Sequence, residues 1–166
     1  MNHTYIIAFW SLSPLPSGSI CMGYFTSSLR MFGDIQCLNC QNRRDRRTLH
    51  LLRQADLVVV ALRQSHREFC DYFCKNVLPV SNCLYLVVDY LPDRELSLEH
   101  FSREFRIPPS QLICIPYNPE HREIYRSSLA HRYRENGSCP VMFRDSAYFR
   151  REFERSQRMM LKALGF

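Results

Sequence analysis

The sequence predicts one α/β domain over residues 1–166, with three layers and a mostly parallel sheet of about five strands. Short apolar strands alternate with amphipathic helices along the whole chain, which is typical of a parallel sheet covered by helices on both faces. The runs at 56–62 (DLVVVAL) and 83–88 (CLYLVV) are apolar at nearly every position. Such strands are expected to be buried on both sides.

Three further strands are expected, because residues 5–10, 35–40 and 112–115 form short apolar runs with turn-forming residues beside them. Between the first two, apolar residues recur every three or four positions, which indicates a helix with one buried face. This helix is expected to start at the cap residue Ser19 and to end near Gly33. Its buried face would consist of Cys21, Phe25, Leu29 and Phe32.

The other helices are predicted from capping residues and from apolar spacing. A basic helix is expected over 43–54, and the next helix starts from a capping box formed by Ser65 and Glu68. Ser97 is expected to cap a further helix, and a last helix covers 146–164. The last helix combines an apolar face with a basic stripe. The stripe consists of Arg151, Arg155, Arg158 and Lys162.

The composition excludes several classes of protein. With 46% apolar and 13% aromatic residues, the chain is not of the disordered type. The long apolar run at 57–62 is too short to span a bilayer, and the first ten residues lack the basic segment of a secretory signal. Eight cysteines without such a signal indicate reduced thiols. We therefore expect a cytoplasmic protein.

The basic residues are mostly arginines, with twenty arginines against two lysines and a net charge of +6. Arginine binds carboxylates and phosphates with two hydrogen bonds, so its excess indicates an anionic partner or an ion-paired surface. The densest cluster is predicted to bind a partner and consists of Arg43, Arg44, Arg46 and Arg47. A solvated helix face that pairs with Asp45 is the alternative. Nucleic acid is not the expected partner, because basic and acidic residues are interleaved.

Cys37 and Cys40 form a Cys-x-x-Cys pair inside a predicted strand. This spacing occurs in redox pairs and in half of a zinc site. The strand context favours packing in the core, where a free cysteine behaves as a small apolar residue. No metal site is predicted, since the histidines are scattered along the chain without metal-ligand spacing.

Three stretches carry a resemblance to a known superfamily: LLRQADLVVVALRQS, CLYLVVDYLPD and FSREFRIPPSQLICIPYNPEHREIY. In this order they resemble the later half of the ParA/MinD-type ATPases, which belong to the SIMIBI class of P-loop NTPases. The pilus-assembly and localisation branch is the most similar. The resemblance extends from about Tyr5 to the last helix. It implies a three-layer P-loop NTPase-like domain that is shortened by one strand and the first switch segment.

The first loop, SLSPLPSGSI, departs from the family pattern. Ser13 stands where the signature lysine belongs, and Gly18 stands in place of the invariant lysine. Pro14 and Pro16 each remove an N–H donor from a loop that holds phosphate through its amides. Without those cations and donors the charge of a terminal phosphate stays uncompensated. We therefore expect ATP or ADP to bind weakly at most, and we assign no catalytic residue.

What remains of a nucleotide site is also implied by the resemblance. The phosphate side would be formed by Ser17, Gly18 and Ser19, and the base side by Asp89 and the loop Pro116, Tyr117 and Asn118. At the end of the second catalytic strand, Asn39 or Cys40 replaces the family's aspartate. Neither is a hard anionic ligand for Mg²⁺.

The predicted function is that of a degenerate ParA/MinD-like protein, not an efficient ATPase, that acts as a scaffold or as a positioning or regulatory partner in a larger assembly. The resemblance implies a homodimer or a heterodimer with a related active ATPase. Helix 146–164 is expected to pack on the domain with its basic stripe toward solvent; the alternative, which also occurs in the family that the chain resembles, is contact with an anionic membrane surface. Two alternatives stay open. One is a weak but genuine ATPase that recruits Arg43 or Arg44, and the other is a thiol or zinc protein that uses Cys37 and Cys40.

Overall fold

A computed structural model describes residues 3–75, 77–78, 80–92, 95–118 and 147–166, and residues 16–21 by their backbone alone. The strands are β1 (Tyr5–Ser11), β2 (Ile35–Gln41), β3 (Leu57–Arg63), β4 (Cys83–Tyr90) and β5 (Leu112–Pro116). The helices in these ranges are α1 (Pro16–Leu29), α2 (Arg46–Gln54), α3 (His66–Cys74), α4 (Leu98–Glu104) and α5 (Ala147–Leu164). A short 3-10 turn, Pro109–Gln111, precedes β5.

The five strands form one sheet in the order β2-β1-β3-β4-β5. All four ladders are parallel, so the predicted parallel sheet of five strands is confirmed. In this order β1 lies inside the sheet, and the chain moves to one side for β2 and to the other side for β3. Ligands of such doubly wound sheets bind at the carboxyl ends of the strands, where the chain changes direction.

Two apolar clusters lie on the two faces of the sheet and produce the three layers. Along β1, Ile7 and Phe9 belong to one cluster, and Ala8 and Trp10 belong to the other, as expected because strand side chains alternate between faces. The first cluster includes buried residues of α1 and α5. The second includes buried residues of α2, α3 and α4. The predicted three-layer α/β architecture is therefore confirmed.

The limits of α1 differ from the prediction. The helix begins at Pro16, not at the predicted cap Ser19, because the fixed backbone angle of proline suits the first helical position, where an N–H has no partner in the helix. It ends at Leu29 instead of near Gly33. Phe32 consequently lies outside the helix and is 50% exposed, so its predicted place on the buried face is wrong.

The basic helix is shorter than predicted at its N-terminus. Asp45 caps α2 by accepting hydrogen bonds of 2.9 Å from the backbone N–H and the hydroxyl of Thr48. An N-cap residue has non-helical backbone angles, so α2 begins at Arg46. Arg43 and Arg44 therefore lie in the loop between β2 and α2, not on the helix.

The two predicted capping arrangements have opposite outcomes. Ser97 caps α4 by accepting a hydrogen bond of 3.1 Å from the backbone N–H of His100, as predicted. Ser65 precedes α3, but its side chain makes no capping hydrogen bond. The predicted capping box with Glu68 is wrong, because the carboxylate of Glu68 accepts a hydrogen bond of 2.8 Å from the hydroxyl of Ser13 instead.

The last helix, α5, packs its apolar face into the domain. Its buried residues include Phe149, Phe153, Met160 and Leu164, as predicted. The predicted first residue, 146, lies outside the described residues. None of the helices in the described ranges is long and apolar enough to cross a membrane.

Candidate functional site

The carboxyl ends of the parallel strands form one rim, where ligands of this type of sheet bind. The turn that joins β1 to α1, residues 12–15, lies where the chain changes direction on this rim, because β1 has β2 on one side and β3 on the other. We call it the β1–α1 turn. The side chains around it come from α3, from the end of β3 and from the loop between β2 and α2.

A carboxylate lies against the β1–α1 turn. Glu68 on α3 is only 9% exposed, and it accepts a hydrogen bond of 2.8 Å from the hydroxyl of Ser13. The two residues are 55 positions apart in the sequence, so no local pattern could have predicted this contact. The turn thus faces a negative charge where a phosphate-binding loop would present positive charge and N–H donors.

Two arginines also contact the β1–α1 turn, and both donate to its backbone carbonyl oxygens. The Nη2 atom of Arg63 lies 2.7 Å from the carbonyl oxygen of Pro14. Arg44 makes a longer contact, 3.4 Å from its Nη2 atom to the carbonyl oxygen of Leu12, and its guanidinium lies over the Trp10 ring, 5.8 Å from the centroid. The carbonyl oxygens of the turn are therefore directed toward cations of the same chain.

The loop between β2 and α2 is attached to β1 through Trp10. The indole Nε1–H donates a hydrogen bond of 2.8 Å to the carbonyl oxygen of Arg43. The tryptophan itself is 1% exposed, so it has a fixed place in the core. The positions of Arg43 and Arg44 at the rim are thus set by a buried side chain. The sequence-based hypothesis placed both arginines on this rim, and the structure agrees.

The predicted phosphate-side residues lie at the start of α1. The backbone of Ser17, Gly18 and Ser19 forms part of the first turn of the helix. Their side chains are outside the described part of the structure. Since α1 already begins at Pro16, which has no N–H, the first helical position offers no amide to an anion. The predicted contacts of these three residues with a phosphate stay a prediction.

The predicted base-side residues lie together at the ends of β4 and β5. The backbone N–H of Tyr117 donates a hydrogen bond of 2.9 Å to the carbonyl oxygen of Tyr90, and Pro116 is paired with Tyr90 in the β4–β5 ladder. Asn118 is buried, with 5% exposure. Asp89 lies inside β4, not after it.

The two groups of predicted residues are on the same rim but are separated by β3. Neighbouring strands are about 4.8 Å apart, so β4 lies about 10 Å and β5 about 14 Å from β1. One extended nucleotide could cover this distance. The two groups therefore lie on the same rim, on opposite sides of β3, and their role in holding a nucleotide stays a prediction.

Two non-glycine residues at the rim have left-handed backbone angles. Gln41 ends β2 with φ of 50°, and Asp89 lies near the end of β4 with φ of 55°. Such angles are unfavourable for residues with a side chain, and they concentrate at functional sites. Both lie at carboxyl ends of strands, which supports the rim as the candidate site.

Gln64 is a rim residue that the sequence analysis missed. Its Nε2 atom donates hydrogen bonds of 2.9 and 2.8 Å to the carbonyl oxygens of Leu91 and Leu96. Its Oε1 atom accepts a hydrogen bond of 2.9 Å from the N–H of Leu91. One amide group therefore fixes the start and the end of the segment that follows β4. A glutamine after a strand carries no local signal for this role.

The predicted partner-binding residues form an exposed cluster that we call the arginine cluster. It consists of Arg43, Arg44, Arg46 and Arg47, and all four are exposed. The alternative was a face paired with Asp45, but that carboxylate caps α2. Within the described ranges no ion pair joins the cluster to a carboxylate. The guanidinium of Arg44 also contacts Trp10 and the carbonyl oxygen of Leu12, and all four exposed charges can be reached by a partner.

Cys37 and Cys40 contact opposite faces of the sheet. Cys37 packs against the cluster that contains α1 and α5, and Cys40 belongs to the cluster that contains α2, α3 and α4. Burial raises the pKa of both thiols, which disfavours the reactive thiolate. Among the described residues, no group of three or more His, Cys, Asp or Glu side chains could hold a metal ion. Both cysteines therefore act as core residues in this structure.

The chain matches no protein-family model and no curated protein. The class of protein is therefore defined by the fold and the rim. The fold is a doubly wound α/β domain with five parallel strands, and a carboxylate and two guanidinium groups contact its first strand-to-helix turn.

Proposed function

We propose that this chain is a non-hydrolysing protein that acts as a scaffold, or as a positioning or regulatory partner, in a larger assembly. In this proposal it is a degenerate relative of the ParA/MinD-type P-loop ATPases. The observation that carries the proposal is the contact of the β1–α1 turn with the chain's own charged side chains. Arg44 and Arg63 donate to carbonyl oxygens of the turn, and Glu68 accepts from Ser13.

These contacts are unfavourable for a triphosphate. Hydrolysis needs cations and N–H donors directed at the phosphate oxygens. At this turn a phosphate would lie close to the nearly buried carboxylate of Glu68. The two negative charges would repel each other strongly. Pro14 and Pro16 add no N–H donors. Nucleotide binding would consequently be weak, and hydrolysis slower still.

The scaffold would act through contacts with other proteins. A homodimer or a heterodimer with a related active ATPase would bring the rims of two molecules together, as the resemblance implies. In a heterodimer the partner would supply the hydrolysis that this chain lacks. A cytoplasmic location, peripheral to the membrane, fits this role.

Contact with an anionic membrane would use the polar side of α5, because the apolar side is buried in the domain. Of the predicted stripe, Arg151, Arg158 and Lys162 are exposed, and Arg151 and Arg155 contact the carboxylate of Glu152 at 3.4 and 3.3 Å. Each exposed basic residue near such a surface contributes about 1 kcal/mol. The two residues of the stripe that do not contact Glu152, Arg158 and Lys162, support a weak, reversible contact.

One specific observation favours the alternative of a weak but genuine ATPase. Arg44 and Arg63 already lie at the β1–α1 turn, 3.4 and 2.7 Å from its carbonyl oxygens. A rotation of either side chain would direct a guanidinium at a bound phosphate, and arginine can stabilise the transition state of phosphoryl transfer.

Titration calorimetry with ATP and Mg²⁺, together with steady-state ATP turnover, separates the two functions. The scaffold proposal expects an affinity weaker than millimolar and no turnover above the rate without protein. The variants are Arg44→Ala and, as a matched control, Arg53→Ala, which removes an exposed arginine at the other end of α2. Turnover by the wild type that Arg44→Ala abolishes and Arg53→Ala preserves would establish the weak ATPase instead.

A further inference from the structure

The two edges of the sheet differ in how well they are protected. β5 has five residues, all of them buried, and it ends in Pro116. Helix α5 packs against β5. The residues of β5 belong to the same buried clusters as residues of α4 and α5. β2 has seven residues, of which three are exposed and only two are buried. The β2 edge is therefore the open one.

β2 carries one feature that hinders pairing of an edge strand, an irregularity at Cys40 near its end, but it lacks the others. Edge strands are usually protected by charged residues, by proline or by a covering element. The sequence of β2, IQCLNCQ, contains neither a charge nor a proline. In the described part of the chain its only strand neighbour is β1. The N–H groups of Ile35 and Gln41 already donate to Gly33 and Asn39, so an added strand would pair along the residues between these two ends.

The two ends of β2 have contrasting surfaces. Just before the strand, Met31 and Phe32 are 84% and 50% exposed, which is unusual for large apolar side chains. Directly after it comes the arginine cluster. Seven residues at about 3.3 Å each separate the two surfaces by about 23 Å. An extended segment lying along β2 would reach both.

The charge at the carboxyl end of β2 selects an acidic partner. Residues 41–54 contain five arginines and one aspartate, and that aspartate, Asp45, is occupied as the cap of α2. Carboxylates form two parallel hydrogen bonds with a guanidinium. Parallel pairing of β2 with the β2 of a second copy is a poor match, because the two arginine clusters would then lie side by side.

We propose that the β2 edge binds an extended acidic segment of a partner protein by strand addition, with its carboxylates on the arginine cluster. This inference rests on the proposed scaffold function and identifies the kind of partner. A protein segment fits better than nucleic acid, since residues 41–54 contain no Phe, Tyr or Trp for base stacking and the adjacent surface is an open strand.

Fluorescence anisotropy with a labelled peptide tests the proposal on the full chain. The probe is an alternating valine–threonine peptide that ends in four glutamates, and the comparison peptide ends in four glutamines. The variant is Arg46→Glu/Arg47→Glu, since acidic residues in the first turn of α2 are compatible with the helix. The matched control is Arg67→Glu/Arg150→Glu, with the same change of charge at exposed positions elsewhere.

We expect the glutamate peptide to bind at least tenfold more tightly than the glutamine peptide, and the Arg46/Arg47 variant to lose at least tenfold in affinity while the control loses less than twofold. A peptide N-methylated at every residue, which cannot pair as a strand, should not bind. Each of four results would overturn the proposal. They are binding of the N-methylated peptide, unchanged affinity of the Arg46/Arg47 variant, tighter binding of duplex DNA than of the glutamate peptide, and self-association through β2.

The test is independent of the nucleotide experiment. Absence of peptide binding without ATP turnover would remove only the proposed partner. ATP turnover would remove the scaffold proposal, whatever the peptide does.

Discussion

Neutralising Glu68 should strengthen the binding of ATP at the β1–α1 turn. In the variant Glu68→Gln, the side-chain oxygen can still accept the hydrogen bond from Ser13, which measures 2.8 Å in the structure. The geometry of the turn is therefore preserved, and only the charge is removed. The variant isolates the repulsion between the carboxylate and a bound phosphate.

The size of the effect follows from the geometry. A phosphate that accepted a hydrogen bond from the Ser13 hydroxyl would lie about 5 Å from the carboxylate of Glu68. Two unit charges at this distance repel by about 3 kcal/mol when the effective dielectric constant is about 20. Solvent near the turn reduces this repulsion, so we expect a gain of about 1.5–3 kcal/mol, which is about 10- to 100-fold in Kd.

Calorimetric titration of both proteins with ATP and Mg²⁺ at low salt measures the difference. Glu154→Gln is the control, because it removes an exposed carboxylate of α5 and should leave the affinity unchanged. Circular dichroism would establish that all three proteins are folded. If Glu68→Gln binds ATP within twofold of the wild type, the carboxylate does not limit binding and the reasoning is refuted.

Three further predictions concern stability and thiol chemistry. Phe69 is fully buried and stacks on a phenylalanine of α4 with 3.9 Å between ring centroids. Phe69→Ala should therefore lower the free energy of unfolding, measured by urea titration, by about 3–5 kcal/mol, and a loss below about 1 kcal/mol would contradict the packing. Burial and the neighbouring carboxylate of α5 raise the pKa of Cys114 to about 12. In the native state a thiol reagent should therefore modify the exposed Cys74 long before Cys114, and peptide mass spectrometry would detect the order. Hydrogen bonds from Thr48 lower the pKa of Asp45 below its usual 3.8. The difference in unfolding free energy between wild type and Asp45→Ala should therefore be complete above pH 3.8 and disappear as the pH falls through the lowered pKa. A difference in urea midpoint that stays constant down to pH 2 would contradict the cap.

The architecture was predictable because it depends on patterns that repeat along the chain. The apolar character of 56–62 and 83–88 indicated central parallel strands, and both lie inside the sheet as β3 and β4. The five strand positions and the last helix followed from the same local reasoning. Such patterns survive in the structure because burial on both faces leaves few alternatives for a strand.

The details of the rim were not predictable, because they depend on contacts between distant residues. Glu68 fits a local capping box with Ser65 as well as a bond to Ser13, and only the tertiary structure decides between them. The predicted starts of α1 and α2 were wrong for a related reason, since several adjacent residues could serve as caps. The alternative interpretation of the arginine cluster paired it with Asp45, whereas the carboxylate of Asp45 caps α2.

The arginine cluster and the β1–α1 turn share one residue, and this predicts that their ligands compete. Arg44 lies over Trp10 and donates to the carbonyl oxygen of Leu12, and it is also exposed in the cluster. A guanidinium that binds a carboxylate of a partner cannot at the same time stabilise a phosphate at the turn, so each ligand should weaken the other by the same factor. In Glu68→Gln, saturating ATP should therefore raise the Kd of the acidic peptide severalfold, and the added substitution Arg44→Ala should remove this effect. Equal peptide affinity with and without ATP would show that the two surfaces are independent.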